Sequence, residues 1–161
     1  MDVHNRCTIT LSPIGVVRRT GIAAPRDLAV QAGPPLAAVV LEPNLAPALD
    51  GIDGFSHIYV VYWLHEIDRA EAPLIHHAGR LADGQPVGIF ATRAALRPNP
   101  LGLSLVELVR RESSTLWVRG LDALDGSPVL DVKPYPELAD RRARAVTRFR
   151  VPEWVELTED E

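Results

Sequence analysis

Arg93 and Arg97 stand four residues apart and lead into Pro98-Asn99-Pro100-Leu101-Gly102-Leu103-Ser104. Proline fixes its own φ and restricts the residue before it, so Asn99, between two prolines, sits on stiff, non-helical backbone. Two guanidinium groups and an amide held at fixed angles suit an anionic or polar ligand. The same pattern also fits a rigid surface turn whose arginines only solvate the loop.

Other short polar segments share this character. They are Pro25-Arg26-Asp27, His65-Glu66, and Asp122-Ala123-Leu124-Asp125-Gly126-Ser127-Pro128, which leads to Asp131-Val132-Lys133-Pro134-Tyr135. Each is predicted at a strand end or turn, where barrels place binding groups. The mixture suits a zwitterionic ligand: arginine receives a carboxylate, aspartate receives an ammonium, and Leu101 or Leu103 covers an aromatic base. Side chains alternate along a strand, which predicts Val129, Asp131, Lys133 and Tyr135 on one face, with Leu130 and Val132 on the other. That polar row fits either a working face or the solvated side of an edge strand.

Several chemistries are unsupported. Five histidines include His65 and the His76-His77 pair, but no paired zinc spacing such as HExxH occurs, so no metal is expected. There is no Gly-x-Ser-x-Gly elbow, no GxGxxG and no phosphate-binding P-loop. The single cysteine, Cys7, excludes an internal disulfide and a thiolate cluster within one chain.

The elements that must position these groups are short. Fourteen prolines break up the chain and argue against long helices. Residues rich in β-branched and aromatic types predict strands at Thr8–Val17, Leu36–Leu41, His57–Leu64, Val87–Thr92, Leu103–Val109, Thr115–Leu121, Val129–Val132 and Val146–Val151. The stretch Phe55–Leu64, apolar on both faces apart from Ser56 and His57, predicts a central, buried strand. The best helical candidate is Arg69–Leu81. Many strands with turn punctuation predict an all-β fold, a small single-domain β-barrel with short helical or irregular connections. One domain is expected over 1–161, with a core of about 8–151 and an acidic tail at 153–161.

Hydrophobic residues make up 47% of the chain and charged residues 24%, ordinary for a globular protein. The formal charge of −4 argues against a generic polyanion binder, while Arg141, Arg142, Arg144, Arg148 and Arg150 form a local basic cluster. No apolar run reaches membrane-spanning length and no secretory leader pattern opens the chain, so a cytoplasmic protein is expected.

Six segments in order carry a resemblance to a known family. They are Pro13-Ile14-Gly15-Val16-Val17-Arg18, Ala24-Pro25-Arg26, Gly54-Phe55-Ser56-His57-Ile58-Tyr59, Gly88-Ile89-Phe90-Ala91-Thr92-Arg93, Arg97 to Ser104, and Asp125 to Tyr135. Across roughly residues 8 to 151 the chain resembles the TsaA-like family, whose characterised enzymes are S-adenosylmethionine-dependent methyltransferases acting on threonylcarbamoyl-adenosine in tRNA. The resemblance implies a small β-barrel and a homodimer with S-adenosyl-L-methionine near the subunit interface. It implies that the cofactor meets Pro25, Arg26, Asp27, His65, Glu66, Arg93, Leu103, Asp122, Ala123, Leu124 and Asp125. Asp27 stands where the family has glutamine, and Glu66 where it has a neutral amide. Ala94 and Leu96 replace the usual serine and phenylalanine.

Methyl transfer from a sulfonium needs alignment above all, and a base only where the acceptor nitrogen holds a proton. The row Asp131, Lys133 and Tyr135 is the expected place for that base or for anchoring the acceptor. Besides tRNA, the same barrel could methylate a small molecule or peptide, or bind S-adenosylmethionine without catalysis.

Overall fold

The computed structural model describes residues 9–19, 33–68, 72–77 and 86–135. The chain divides into two compact units, one of Met1–His65 with Leu101–Pro136 and one of Glu66–Pro100 with Glu137–Glu161. The first unit is a closed antiparallel barrel of six strands. Its strands are β1 (Gly15–Arg18), β2 (Leu36–Leu41), β3 (His57–Trp63), β6 (Leu101–Glu112), β7 (Thr115–Arg119) and β8 (Pro128–Pro134), closed in the order β1-β2-β7-β6-β3-β8. The second unit contains β4 (Ile75–His77) paired with β5 (Pro86–Gly88), followed by a 3-10 turn at Ile89–Ala91.

Strict alternation builds the barrel core. On β3, Ile58, Val60 and Tyr62 point inward and are buried, whereas Tyr59, Val61 and Trp63 face out and are half-buried. Val17, Val39, Val106, Leu116, Val118 and Val129 complete the filling, mostly β-branched chains that suit a pleated wall. At the seam, β1 is pinched between β2 and β8. A Cβ on Gly15 would collide with the Val40 carbonyl and the Leu41 Cα, so only glycine lets the strands close there.

Two bulges shift the phase of the wall. The first lies between Val61 and Tyr62 in the β3–β8 register, where Leu130 is the extra residue. It corrects the expected face pattern: Val129 lies opposite the inward Tyr62 and Val132 opposite the inward Val60, while Asp131 and Lys133 lie opposite the outward Val61 and Tyr59. Val129 therefore belongs to the core and not to the polar row. The second bulge, between Leu108 and Arg110, sets Arg111 opposite the inward Leu116.

Arg111 thereby reaches one end of the barrel, which is stopped by a 3-10 helix at Pro43–Leu49 with Leu49 buried beneath it. Its guanidinium donates to the carbonyls of Ala46 at 3.0 Å, Leu49 at 2.9 Å and Ser113 at 3.1 Å. It also donates to Asp50 Oδ1 from both terminal nitrogens. The orphan carbonyls at the end of a short helix are thus satisfied by one side chain.

Other expectations need correction. The predicted strand Val87–Thr92 is a strand only to Gly88 and then turns, because the Thr92 N–H and hydroxyl both bond back to the Ile89 carbonyl. Thr8–Val17 is paired only from Gly15, and Thr8 lies outside the described residues. Within the helical candidate Arg69–Leu81, Ile75–His77 is a strand, and 69–71 and 78–81 lie outside the described residues. Val146–Val151, the arginines at 141–150 and the acidic tail lie outside as well.

Arg111→Met keeps the aliphatic stem but removes every one of these donors. It should cost about 2–3 kcal/mol of stability, read as a lower midpoint in urea unfolding. Arg111→Lys should recover only part of that, because an ammonium cannot span four acceptors.

Candidate functional site

The opposite end of the barrel is polar. It is formed where β1, β3 and β7 end and where β6 and β8 begin. Tyr62, 3% exposed, and Ser104, 8% exposed, face inward at this end. Both hydroxyls donate to one oxygen of Asp122, an exposed residue in the loop after β7: Tyr62 at 2.7 Å and Ser104 at 2.5 Å. Hydroxyl donors to a carboxylate are among the stronger protein hydrogen bonds.

Tyr62 can take this position because its register partner is Gly102. The ring lies flat on that residue, and a Cβ there would overlap the ring at Cε2 and Cζ. The glycine and serine of Leu101-Gly102-Leu103-Ser104 thus have defined tasks, one making room and one donating.

The loop is tied on its other side by Asp125. The Arg19 amide donates to Asp125 Oδ1 at 2.6 Å, and the Arg18 guanidinium lies 4.0 Å from the other carboxylate oxygen. Arg19 Nη1 donates to the Ala123 carbonyl at 3.2 Å. Backbone bonds from Gly126 to Val17 and from Val17 to Ser127 hold the turn against β1. Ser127, fully buried, places its hydroxyl 3.3 Å from His65 Nδ1. Of the expected cofactor residues, the structure therefore brings His65, Asp122, Ala123, Leu124 and Asp125 together at one barrel end.

Others lie elsewhere. Leu103 points to the outer face of β6, opposite Val61, which in turn lies opposite Asp131 on β8. One outer row thus runs Leu103, Val61, Asp131, and the next runs Leu105, Tyr59, Lys133. Lys133 Nζ pairs with Asp131 Oδ2 at 2.7 Å, and Tyr135 meets Tyr59 edge-on with centroids 5.6 Å apart. The three expected catalytic residues, Asp131, Lys133 and Tyr135, form one patch on the barrel wall. It begins about 10 Å along β8 from Pro128, at the rim.

In the second unit, Arg93 and Glu66 are exposed. Arg97 Nη1 donates to the carbonyls of Thr92 at 2.8 Å and Ala94 at 3.2 Å, and its guanidinium lies 6.0 Å from the Phe90 ring. Arg97 holds the shape of the loop. Pro25, Arg26 and Asp27 lie outside the described residues. Among the described residues, no group of three histidine, cysteine or acidic side chains is placed to hold a metal.

Tyr62 and Arg19 fall outside the candidate segments read from the sequence, and Ser104, Ser127 and Arg18 lie within them but without an assigned role. Tyr62 sits in an apolar strand and reads as core, yet glycine followed by serine in the facing strand signals a bulky ring with a polar tip.

A family model, the tRNA-methyltransferase O N-terminal domain, matches residues 19–141. A probable S-adenosyl-L-methionine-binding protein of Methanothermobacter thermautotrophicus is 43% identical over 135 residues, covering 82% of this chain and 93% of the relative. A tRNA (adenine(37)-N6)-methyltransferase of Eikenella corrodens is 43% identical over 98 residues, covering 59% of this chain and 56% of that enzyme. A crystal structure of TrmO superimposes with a TM-score of 0.64 at 35% identity, covering 87% of this chain. This chain spans 61% of the length of that structure.

Gly102→Ala should force the Tyr62 ring off β6 and lower stability by about 1–3 kcal/mol, read by thermal melting. Gly54→Ala, where an added Cβ meets nothing within 4 Å, is the matched control and should melt close to the unaltered protein.

Proposed function

We propose a function from one premise: the chain belongs to the family of the tRNA-methyltransferase O N-terminal domain. It acts as an S-adenosylmethionine-dependent methyltransferase, and its acceptor is the N6 nitrogen of threonylcarbamoyl-adenosine beside the tRNA anticodon. The observation that carries the reading is the fixed acidic loop Asp122–Asp125 at the polar end of the barrel, beside His65.

The donor set fits the cofactor. S-adenosylmethionine carries a sulfonium, an ammonium, a carboxylate and ribose hydroxyls. Asp122 and Asp125 offer negative charge and hydroxyl acceptors and His65 a ring nitrogen, and the family resemblance adds the Arg93 guanidinium for the carboxylate. When bound, the cofactor supplies a methyl group activated by the sulfonium. The chain's own part is to hold ligands in line and to deal with the acceptor proton. The row Asp131, Lys133 and Tyr135 either accepts the N6 proton or anchors the acceptor, with the Asp131 carboxylate held by Lys133 and the Val132 N–H and Tyr135 packed on Tyr59.

The protein works as a homodimer in the cytoplasm. Leu101, Leu103 and Leu105, exposed by 41%, 50% and 43%, form an apolar strip along the outer face of β6, and such strips favour association. The strip lies one strand away from the Asp131 patch, so a dimer formed through β6 would bring the patch close to its interface. A second reading, cofactor binding without transfer, is favoured by the relative matched over 93% of its length, a probable binding protein. A small-molecule or peptide acceptor is a third outcome of the same assay.

Titration of the full chain with S-adenosylmethionine should give saturable binding; no heat and no retention would end all three readings. Nucleosides from a strain lacking the gene should lose the methylated threonylcarbamoyl-adenosine, and its persistence would exclude the tRNA reading. Asp131→Asn should lower kcat about 100-fold with cofactor affinity within about twofold. Arg93→Ala should weaken cofactor affinity about tenfold.

A further inference from the structure

The interior of the barrel has no need of hydroxyls. The inward neighbours of Tyr62 and Ser104 along their own strands are Val60 and Val106, both fully buried and apolar. Phenylalanine at 62 and alanine at 104 would fill the same space without desolvating a polar group. Both hydroxyls instead converge on one oxygen of a single exposed side chain, held between the core residues Leu121 and Ala123. The two hydroxyls are 3.2 Å apart, so the three groups form a closed triangle spanning β3, β6 and the loop after β7. The register of Tyr62 with Gly102 fixes where the phenol can lie, and the core residues Leu121 and Ala123 on either side of Asp122 hold the loop beneath it.

We propose that Tyr62 and Ser104 are positioning residues for Asp122: by holding one carboxylate oxygen they fix the direction in which its charge meets the cationic part of the cofactor. The inference rests on the reading that Asp122 touches S-adenosylmethionine. Two donors on one oxygen restrict rotation of the carboxylate, which a directed contact with a sulfonium or ammonium requires. The entropy of ordering a loop carboxylate is then met before the ligand arrives.

A double-mutant cycle on the full chain tests this, read as the dissociation constant for S-adenosylmethionine by calorimetry. Tyr62→Phe should weaken binding about five- to tenfold, and Ser104→Ala by a similar factor. In an Asp122→Ala background either substitution should change affinity by less than about twofold, because nothing is left to position. Equal losses in both backgrounds would assign the hydroxyls to packing alone and overturn the proposal, as would unchanged affinity in the single variants. Ser104→Ala, a small change within a strand, carries the cycle if Tyr62→Phe does not fold. Failure of the unaltered chain to bind would remove the cofactor reading and this proposal together, whereas binding with additive losses removes the proposal only.

Discussion

Closing six strands into a barrel leaves an interior only wide enough for the inward side chains of the strands themselves. Here those chains are mostly valine, isoleucine, leucine and alanine, and they fill the middle of the barrel. Among the described residues of the barrel, polar groups lie at the ends and on the outer wall. One end is stopped by the Pro43–Leu49 turn, whose carbonyls are gathered by Arg111. The other end holds the Tyr62–Ser104–Asp122 triangle, with Asp125 bonded to the Arg19 amide and His65 to Ser127. The division into a stopped end and a polar end follows from which loops each end receives.

The two ends use arginine differently. Arg111 serves backbone carbonyls and an exposed aspartate, so its worth lies in satisfying a short helix. Arg19 donates from its backbone to Asp125 and from its side chain to the Ala123 carbonyl, so it orders the loop that carries the acidic groups. Arg97 bonds carbonyls of its own segment, whereas Arg111 reaches those of the distant Pro43–Leu49 helix. Within one chain, the same residue type closes a turn, braces a loop and stiffens a proline-rich segment.

Much of the fold was legible because hydrophobic alternation and turn residues agree. Leu36–Leu41 was readable to the residue, and the strand predicted at His57–Leu64 ends one residue earlier, at Trp63. The face of Val129 was not, since a bulge leaves no mark in composition and reverses every later residue. The turn at Ile89–Ala91 hid behind β-branched residues because its cause is the bonding of Thr92, a local competition that propensity does not weigh. At the site, the acidic loop and His65 could be named from short polar segments and from family resemblance. Tyr62 and Ser104 could not, because their meaning depends on facing each other across two strands and reaching a third element.

The extra residue Leu130 acts on β8 as a phase setter. Upstream of it the strand shows one set of side chains to the interior, and downstream it shows the complementary set. Loss of Leu130 would leave Val129 opposite Tyr62 and Asp131 opposite Val61 on a regular strand, so the faces would be kept and only the local bend lost. Pairing with β3 thus decides which residues of β8 line the wall, and the extra residue is what lets Val129 and Val132, three apart in sequence, both turn to the core.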